Sequence, residues 1–368
     1  MARTSSLPGP TAERLLALTS RFAKARVAVI GDLLADEFIY GRVERVSREA
    51  PVLILRYDTT IVVPGGAGNA ANNAAALGGR VRVAGLAGRD EPGSRMLDAL
   101  HDRVRRSSVL RPAAFDTPVK TRILAGGVHS AKQQVVRIDR ITNGHVPARL
   151  RAEFEAKALT TAAGADAVLV SDYGFGLVTP AFVDRLRRRL WRAGRPRVPI
   201  LVDSRYAIHS FHGVTACTPN ESEAEQVLGI RIGDDLDALE RAGRAMLRKT
   251  KMEALLITRG SRGMALFEPG RPTQHIPIVG SDEVADVTGA GDTVIATVTL
   301  ALASGASHLE AAHLANITGG LVVMKRGTAT VSGDELRGAI QAQLAQGSPP
   351  TTQGSTYRPK APSPKPKA

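Results

Sequence analysis

Along most of the chain, short runs of β-branched and other apolar residues alternate with helical segments: RVAVIGD, then NAANNAAALGG, then VRVAGLAG, then EPGSRMLDALHDRV. The rhythm resumes as ADAVLVSDYG, TPAFVDRLRRRLWRAG, PILVDS, NESEAEQVLG with ALERAGRAMLRK, and ALLITRG. Strands that are apolar throughout must bury both faces, which a parallel sheet covered by helices on each side achieves. An α/β fold with a mostly parallel central sheet is therefore expected. Residues 38–63 and 118–139 break the rhythm, each reading as strand after strand with no helix between. They are expected to form antiparallel hairpins and, together, a small β lid on the α/β body. No repeat occurs at a solenoid period.

With 43% hydrophobic residues among 368, the chain can bury a full core. Residues 1–24 read as an N-terminal extension, 25–346 as the body, and 347–368 as a Pro- and Lys-rich tail expected to be disordered. The single cysteine, Cys217, rules out an internal disulfide framework and reads as a packed side chain. No window of eighteen apolar residues exists and the N-terminus lacks a secretory pattern, so a cytoplasmic protein without a membrane partner is expected. The net charge of +14 raises a nucleic-acid reading. Part of that charge lies in the tail, and part in the run Arg185, Arg187, Arg188, Arg189 and Arg192, which reads as a solvated helix face because Leu186, Leu190 and Trp191 supply the buried side.

The segment from Asp286 to Thr293, DVTGAGDT, leads directly into the apolar run VIATVTLALASG. A Gly-Ala-Gly turn opening a helix presents unpaired N–H groups where the helix dipole also favours negative charge, so Gly289, Ala290 and Gly291 form an anion cradle. Asp292 beside it is placed to accept a proton from an incoming hydroxyl. The alternative is a tight turn with Asp292 complementing the dipole. A second Gly-rich helix start, PGGAGNAANN from Pro64, allows close backbone approach to a polyhydroxylated ligand, which Asn69 can bind as both donor and acceptor.

With VAVIGDLLAD ahead of it, GGAGNAANNAAALGG together with DVTGAGDT resembles the paired signatures of the PfkB carbohydrate kinases, from about residue 25 to about 340. The resemblance implies the ribokinase-like fold and ATP-dependent phosphorylation of a sugar hydroxyl. It also implies Mg²⁺, a monovalent cation such as K⁺, a closing lid, and a homodimer through that lid. It makes Asp292 the base and the amides of Gly289, Ala290 and Gly291 the anion hole. Asp36, Gly65, Gly66 and Asn69 match sugar-binding positions, although Asp36 also reads as a strand-end turn former. Asn220 matches a nucleotide position and Glu223 a magnesium position, although the same pair reads as a helix cap and capping box. Thr258, Arg259, Gly260 and Gly263 match a nucleotide loop, Asn316 the adenine border, and Asp286 with Thr288 the monovalent-cation position.

Within that family, GDLLADEFIYGRVERVSREAPVLIL, SDYGFG with Asp172, and TPNESE resemble the group acting on D-glycero-β-D-manno-heptose 7-phosphate. Phe175 and Arg205 stand where that group carries lysines, and Arg205 is expected among the nucleotide-binding residues, where it could restore a bidentate phosphate contact. Lys120 and Arg122 alternate onto one face of a lid strand, and with Arg137 they suit a phosphorylated sugar, because adjacent cations repel unless an anion or solvent lies between them. A plain sugar, or both cations simply facing water, is the alternative. No second nucleotide-binding signature follows the last helix, so a kinase without a nucleotidyltransferase domain is expected. No G-x-x-x-x-G-K-S/T occurs and no G-x-G-x-x-G follows a strand, which disfavours Walker-type ATPases and Rossmann dehydrogenases. A nucleic-acid-binding protein on a degenerate kinase fold would have little reason to keep the aspartate and its cradle together, so nucleic acid is not an expected partner.

Overall fold

The computed structural model describes residues 9–127, 132–141, 146–192, 196–279 and 285–345. Thirteen strands form among them: β1 (Arg26–Gly31), β2 (Leu33–Val46), β3 (Leu53–Gly66), β4 (Arg80–Leu86), β5 (Val104–Leu110), β6 (Val119–Gly126), β7 (Gln133–Arg140), β8 (Ala167–Asp172), β9 (Ile200–Ser204), β10 (Ala216–Cys217), β11 (Ala254–Thr258), β12 (Met264–Phe267) and β13 (Gln274–Ile276). Ten α-helices accompany them: α1 (Ala12–Thr19), α2 (Ala67–Ala76), α3 (Glu91–Asp98), α4 (Ala148–Ala162), α5 (Pro180–Leu190), α6 (Glu221–Leu228), α7 (Leu236–Thr250), α8 (Ala290–Ala303), α9 (His308–Val322) and α10 (Gly333–Ala345).

The central sheet runs β13-β12-β11-β10-β9-β8-β1-β4-β5. Its neighbours from β11 to β5 pair in parallel, and β12 and β13 close one edge as antiparallel strands. The reason is legible in β1 and β8, where AVLVSD is buried at every position and RVAVIG at all but the first, a pattern only a sheet covered on both faces satisfies. Two apolar cores result. One gathers side chains of α1, α2, α8, α9 and α10, the other those of α4, α5 and α7.

The stretches that broke the alternation form a separate four-stranded sheet, ordered β3-β2-β6-β7. β2–β3 and β6–β7 are antiparallel pairs, and a parallel β2–β6 pairing unites them. β2 begins at Leu33, earlier than the expected boundary, because the pairing of Leu33 with Gly66 extends the lid sheet down to the body. Within the stretch expected as an extension, α1 packs Leu15 and Leu18 into the core, and Arg14 donates to Glu310 of α9 at 2.7 Å. The expected tail, 347–368, lies outside the described residues. On α5, Arg185 pairs with Glu155, and Arg187 and Arg188 pair with Asp184, so three of the five arginines are partnered on the helix's outer side.

Candidate active site

Asp292 sits in the first turn of α8, 5% exposed, at the junction of body and lid. Gly289, ahead of it, adopts φ 77°, a left-handed conformation suited to glycine, and a Cβ there would lie 2.6 Å from Asn69 Nδ2. This tight turn brings α8 against α2. Asn69 donates through Nδ2 to Asp292 Oδ2 at 2.7 Å, Asn73 donates to Asn69 Oδ1 at 3.0 Å, and the Thr293 hydroxyl donates to Asn73 Oδ1 at 2.9 Å. The chain of donors fixes which end of the Asn69 amide faces the carboxylate. Both Asn73 and Thr293 are wholly buried, so the network holds Asp292 rigidly. Burial, together with the charge of Asp36, raises the Asp292 carboxyl to about 7 despite the donors of Asn69 and Tyr173.

One amide of the expected cradle is not free: Ala290 N–H donates to Val287 O at 3.2 Å, because the turn closes on itself before the helix begins. Gly289, Ala290 and Gly291 nonetheless line a cleft of about 560 Å³ with Asp292 at its end. Asn220, Glu223, Arg205, Thr258, Gly260, Gly263 and Asn316 line it too, as does Asp172. Asn316 is oriented by donating to Pro277 O at 2.7 Å. Asn220 and Glu223 do form a capping box at the start of α6 while facing the cleft, so the structural and ligand-facing readings coexist. Arg259 points elsewhere: its guanidinium is engaged by Glu221 at 2.9 Å and by Gly233 O at 2.9 Å, and Ser261 lines the cleft from that loop instead. Asp286 and Thr288 lie just beside the cleft. The Asp286 carboxylate accepts the amides of Thr288 and Gly327, each at 2.9 Å, and ties the turn down.

On the lid side of Asp292 the remaining candidates gather. Asp36 lies so close to Gly65 that a Cβ there would fall 2.5 Å from Asp36 Oδ2. Asp36 accepts from Arg122 Nη1 at 2.5 Å, with both side chains about nine-tenths buried. The repulsion expected between Lys120 and Arg122 is thus relieved for Arg122 by Asp36, since the two cations do share a face. Lys120 forms no salt bridge among the described residues. Its ammonium lies 4.7 Å from the centre of the Tyr173 ring, and burial together with Arg205 holds its pKa below the usual lysine range. Arg137 stands opposite Arg122 across β6–β7 and pairs with Asp139 at 2.9 Å on the exposed lid strand, so it joins the site only at its rim. Gly66 backs the ring of Tyr173.

Besides Ser261, Tyr173, Asp32 and Asp203 belong to the site although no motif singled them out. Tyr173 donates its hydroxyl to Asp292 Oδ1 at 3.2 Å. Asp32 accepts the Tyr173 amide at 2.7 Å. Asp203 lines the cleft, and burial with the charges of Asp292, Glu223 and Asp172 pushes it well above the carboxylate range. A signal for them existed: VAVIGD, AVLVSD and ILVDS each place an aspartate at the carboxyl end of an apolar strand, and β1, β8 and β9 are adjacent. In open α/β sheets, ligands bind outside those strand ends.

A family model described as pfkB family carbohydrate kinase matches residues 24–337. The bifunctional protein HldE of Pelobacter propionicus is 39% identical over 324 residues, covering 87% of this chain and 64% of that protein. The bifunctional protein HldE of Methylococcus capsulatus is 42% identical over 328 residues, covering 88% and 66%. The chain therefore spans about two thirds of the length of the curated relatives it matches. Among solved structures, phosphofructokinase-2 from Escherichia coli in complex with potassium superposes with a TM-score of 0.68 at 19% identity, covering 87% of this chain and 99% of that one. Ribokinase from Arabidopsis thaliana complexed with ribose and ATP gives 0.66 at 19%, covering 86% and 98%. These likenesses place the chain in a ribokinase-like fold.

Proposed function

The chain belongs to the PfkB family of carbohydrate kinases, and we propose that it transfers the γ-phosphate of ATP to a hydroxyl of D-glycero-β-D-manno-heptose 7-phosphate. The observation that carries the reading is the position of Asp292, open to the large cleft on one side and tied to Asn69 of the lid-facing helix on the other. A nucleotide in the cleft and a sugar beneath the lid would meet at that carboxylate. Phosphoryl transfer needs positioning and charge stabilisation more than covalent help, so such a site is close to sufficient. In the mechanism the amides of Gly289 and Gly291, at the positive end of α8, face the γ-phosphate, and Asp292 takes the proton from the attacking hydroxyl. A base held near 7 is ionised for much of its time at neutral pH and regains its proton readily.

Among the described residues no group of three or more carboxylate, imidazole or thiol side chains could hold a metal by itself, so Mg²⁺ would enter the cleft with ATP, where Glu223 offers a hard carboxylate oxygen. When bound with ATP it would neutralise charge on the phosphates. Asp286 and Thr288 remain the proposed position for a monovalent cation, in keeping with the potassium complex of the phosphofructokinase-2 neighbour.

For the acceptor, support comes from the resemblance of residues 31–55 to the heptose 7-phosphate group and from the HldE relatives. Lys120 and Arg205, which form no salt bridge among the described residues, are cations available to a sugar phosphate, and Asp36 suits its hydroxyls, while the Asn69 amide is taken up by Asp292 and Asn73. A cytoplasmic setting supplies both ATP and phosphorylated sugars. Among the described residues no helix is long and apolar enough to cross a membrane. The reading extends to a homodimer through the lid, where Val135, Val136 and Ile138 of β7 and Tyr57 and Ile61 of β3 are 44–64% exposed. ATP consumption with a panel of free and phosphorylated hexoses and heptoses tests the acceptor. A preference for free sugars would leave only a general sugar kinase.

A further inference from the structure

We infer that Tyr173 is a positioning residue for Asp292: its hydroxyl, opposite the Asn69 amide, aims the carboxylate and donates to its charged form. The inference rests on the reading of Asp292 as the base. Tyr173 lies at the boundary between the nucleotide cleft and the lid. Its hydroxyl sits 3.2 Å from Oδ1 and 3.4 Å from Oδ2 of Asp292, while Asn69 holds Oδ2 from the other side at 2.7 Å. Two donors of fixed direction leave the carboxylate little freedom to rotate.

The tyrosine is itself held in place, which a chance contact would not require. Its amide donates to Asp32 Oδ2 at 2.7 Å, and the next amide, Gly174, donates to Asp172 Oδ1 at 3.0 Å. Asp172 in turn accepts the Ser204 hydroxyl at 2.7 Å. Gly66 lies against one edge of the ring, where a Cβ would come within 3.3 Å of Tyr173 Cε2. Two buried carboxylates therefore hold the short loop after β8, and the loop holds the ring. That arrangement explains why Asp32 is buried at 2% exposure with no cation paired to it among the described residues.

The hydroxyl is a steady donor, because burial and the charge of Asp292 push the Tyr173 pKa well above the usual tyrosine range. A hydrogen bond to the charged form of a carboxyl favours that form. The other charged or titratable groups facing the pair are Asp36 from β2, Lys120 from β6, Asp203 and Arg205 at the end of β9, and Asp32 and Asp172 beneath the loop. Asp36 opposes ionisation of Asp292, and Lys120 assists it. Tyr173 adds a donor that salt does not screen.

The test pairs kinetics with a direct titration in Tyr173→Phe, a variant that keeps the ring and removes one atom. The Asp292 carboxyl is followed by ¹³C NMR of the full chain, identified as the resonance lost in Asp292→Asn. Its midpoint should rise by about half to one pH unit in Tyr173→Phe, the scale of one hydrogen bond to a charged group. The acidic limb of kcat, measured with saturating ATP and sugar, should move upward by the same amount, with both KM values within about twofold and turnover recovering above pH 8. If the carboxyl midpoint stays put, the inference is overturned, whatever happens to kcat. If the midpoint moves and the kcat limb does not, the hold of Tyr173 on Asp292 stands and the assignment of Asp292 as the base falls.

Discussion

Replacing Asp292 by Asn should make the protein more stable and nearly inactive at once. The carboxyl titrates at about 7 in the folded chain against 3.8 as the reference value, a difference of roughly three units. At about 1.4 kcal/mol per unit, the ionised group costs the fold on the order of 4 kcal/mol at high pH, an upper bound, since relaxation around the site reduces it. The sign follows from proton counting. Between the two values the folded state holds a proton that the unfolded state has released, so the Asp292 contribution to stability is greatest at low pH and falls as pH rises toward 7. Asparagine has no such dependence, and its Oδ1 can still accept from Asn69. Thermal unfolding of the two proteins should therefore show the variant melting higher at pH 8, by roughly 3–6 °C for a body of this size, with the gap shrinking toward pH 5. Its turnover should fall by at least about 10²-fold, the scale of general-base removal. A variant that melts lower than the parent at pH 8, or a gap that does not change with pH, would refute the burial argument. Retention of more than about a tenth of the parent rate would remove Asp292 from its role.

Gly289→Ala should cost about 1–3 kcal/mol in denaturant unfolding and disturb turnover more than ATP binding, because the left-handed turn and the Asn69 contact both exclude a Cβ. Arg205→Ala should raise KM for the substrate whose phosphate it contacts, with little change in melting temperature, since it forms no ion pair among the described residues; unchanged KM values for both substrates would discard the contact. Ile138→Asp should shift the sedimentation coefficient from dimer to monomer, and a parent protein that is already monomeric at micromolar concentration would end the lid-dimer proposal. Truncation after residue 346 should leave melting temperature and kcat unchanged, because residues 347–368 carry almost no large apolar side chains; a fall of several degrees would show that the tail docks.

The central sheet could be read from the chain because buried parallel strands leave an unambiguous mark: AVLVSD has no polar residue until the position where the strand reaches the site. The lid was legible for the opposite reason, the loss of helices between strands. What could not be read was the parallel pairing of β2 with β6, which joins residues more than eighty positions apart, and the packing of α1 against the far end of the chain. Within the site, the Gly-rich turns announced the cradle and Asn69. A nucleotide-loop spacing fixes backbone positions and leaves open which way a long side chain turns; the Arg259 guanidinium turns to Glu221 while its loop neighbours line the cleft. Ala290 was counted as a free donor because the short turn back to Val287 depends on dihedral angles rather than on residue type. Tyr173, Asp32 and Asp203 act through contacts between strands that are neighbours only in the folded sheet.

The most direct measurement is the initial rate of ADP formation with ATP, Mg²⁺ and D-glycero-β-D-manno-heptose 7-phosphate, compared with the free heptose, fructose 6-phosphate and ribose, with the product identified by mass spectrometry. The account predicts a bisphosphorylated heptose, with kcat/KM for the heptose phosphate at least tenfold above every other sugar, about 1.4 kcal/mol of discrimination, and activity lost in Asp292→Asn. ATP turnover that needs no sugar, or a free sugar preferred over its phosphate, would contradict it.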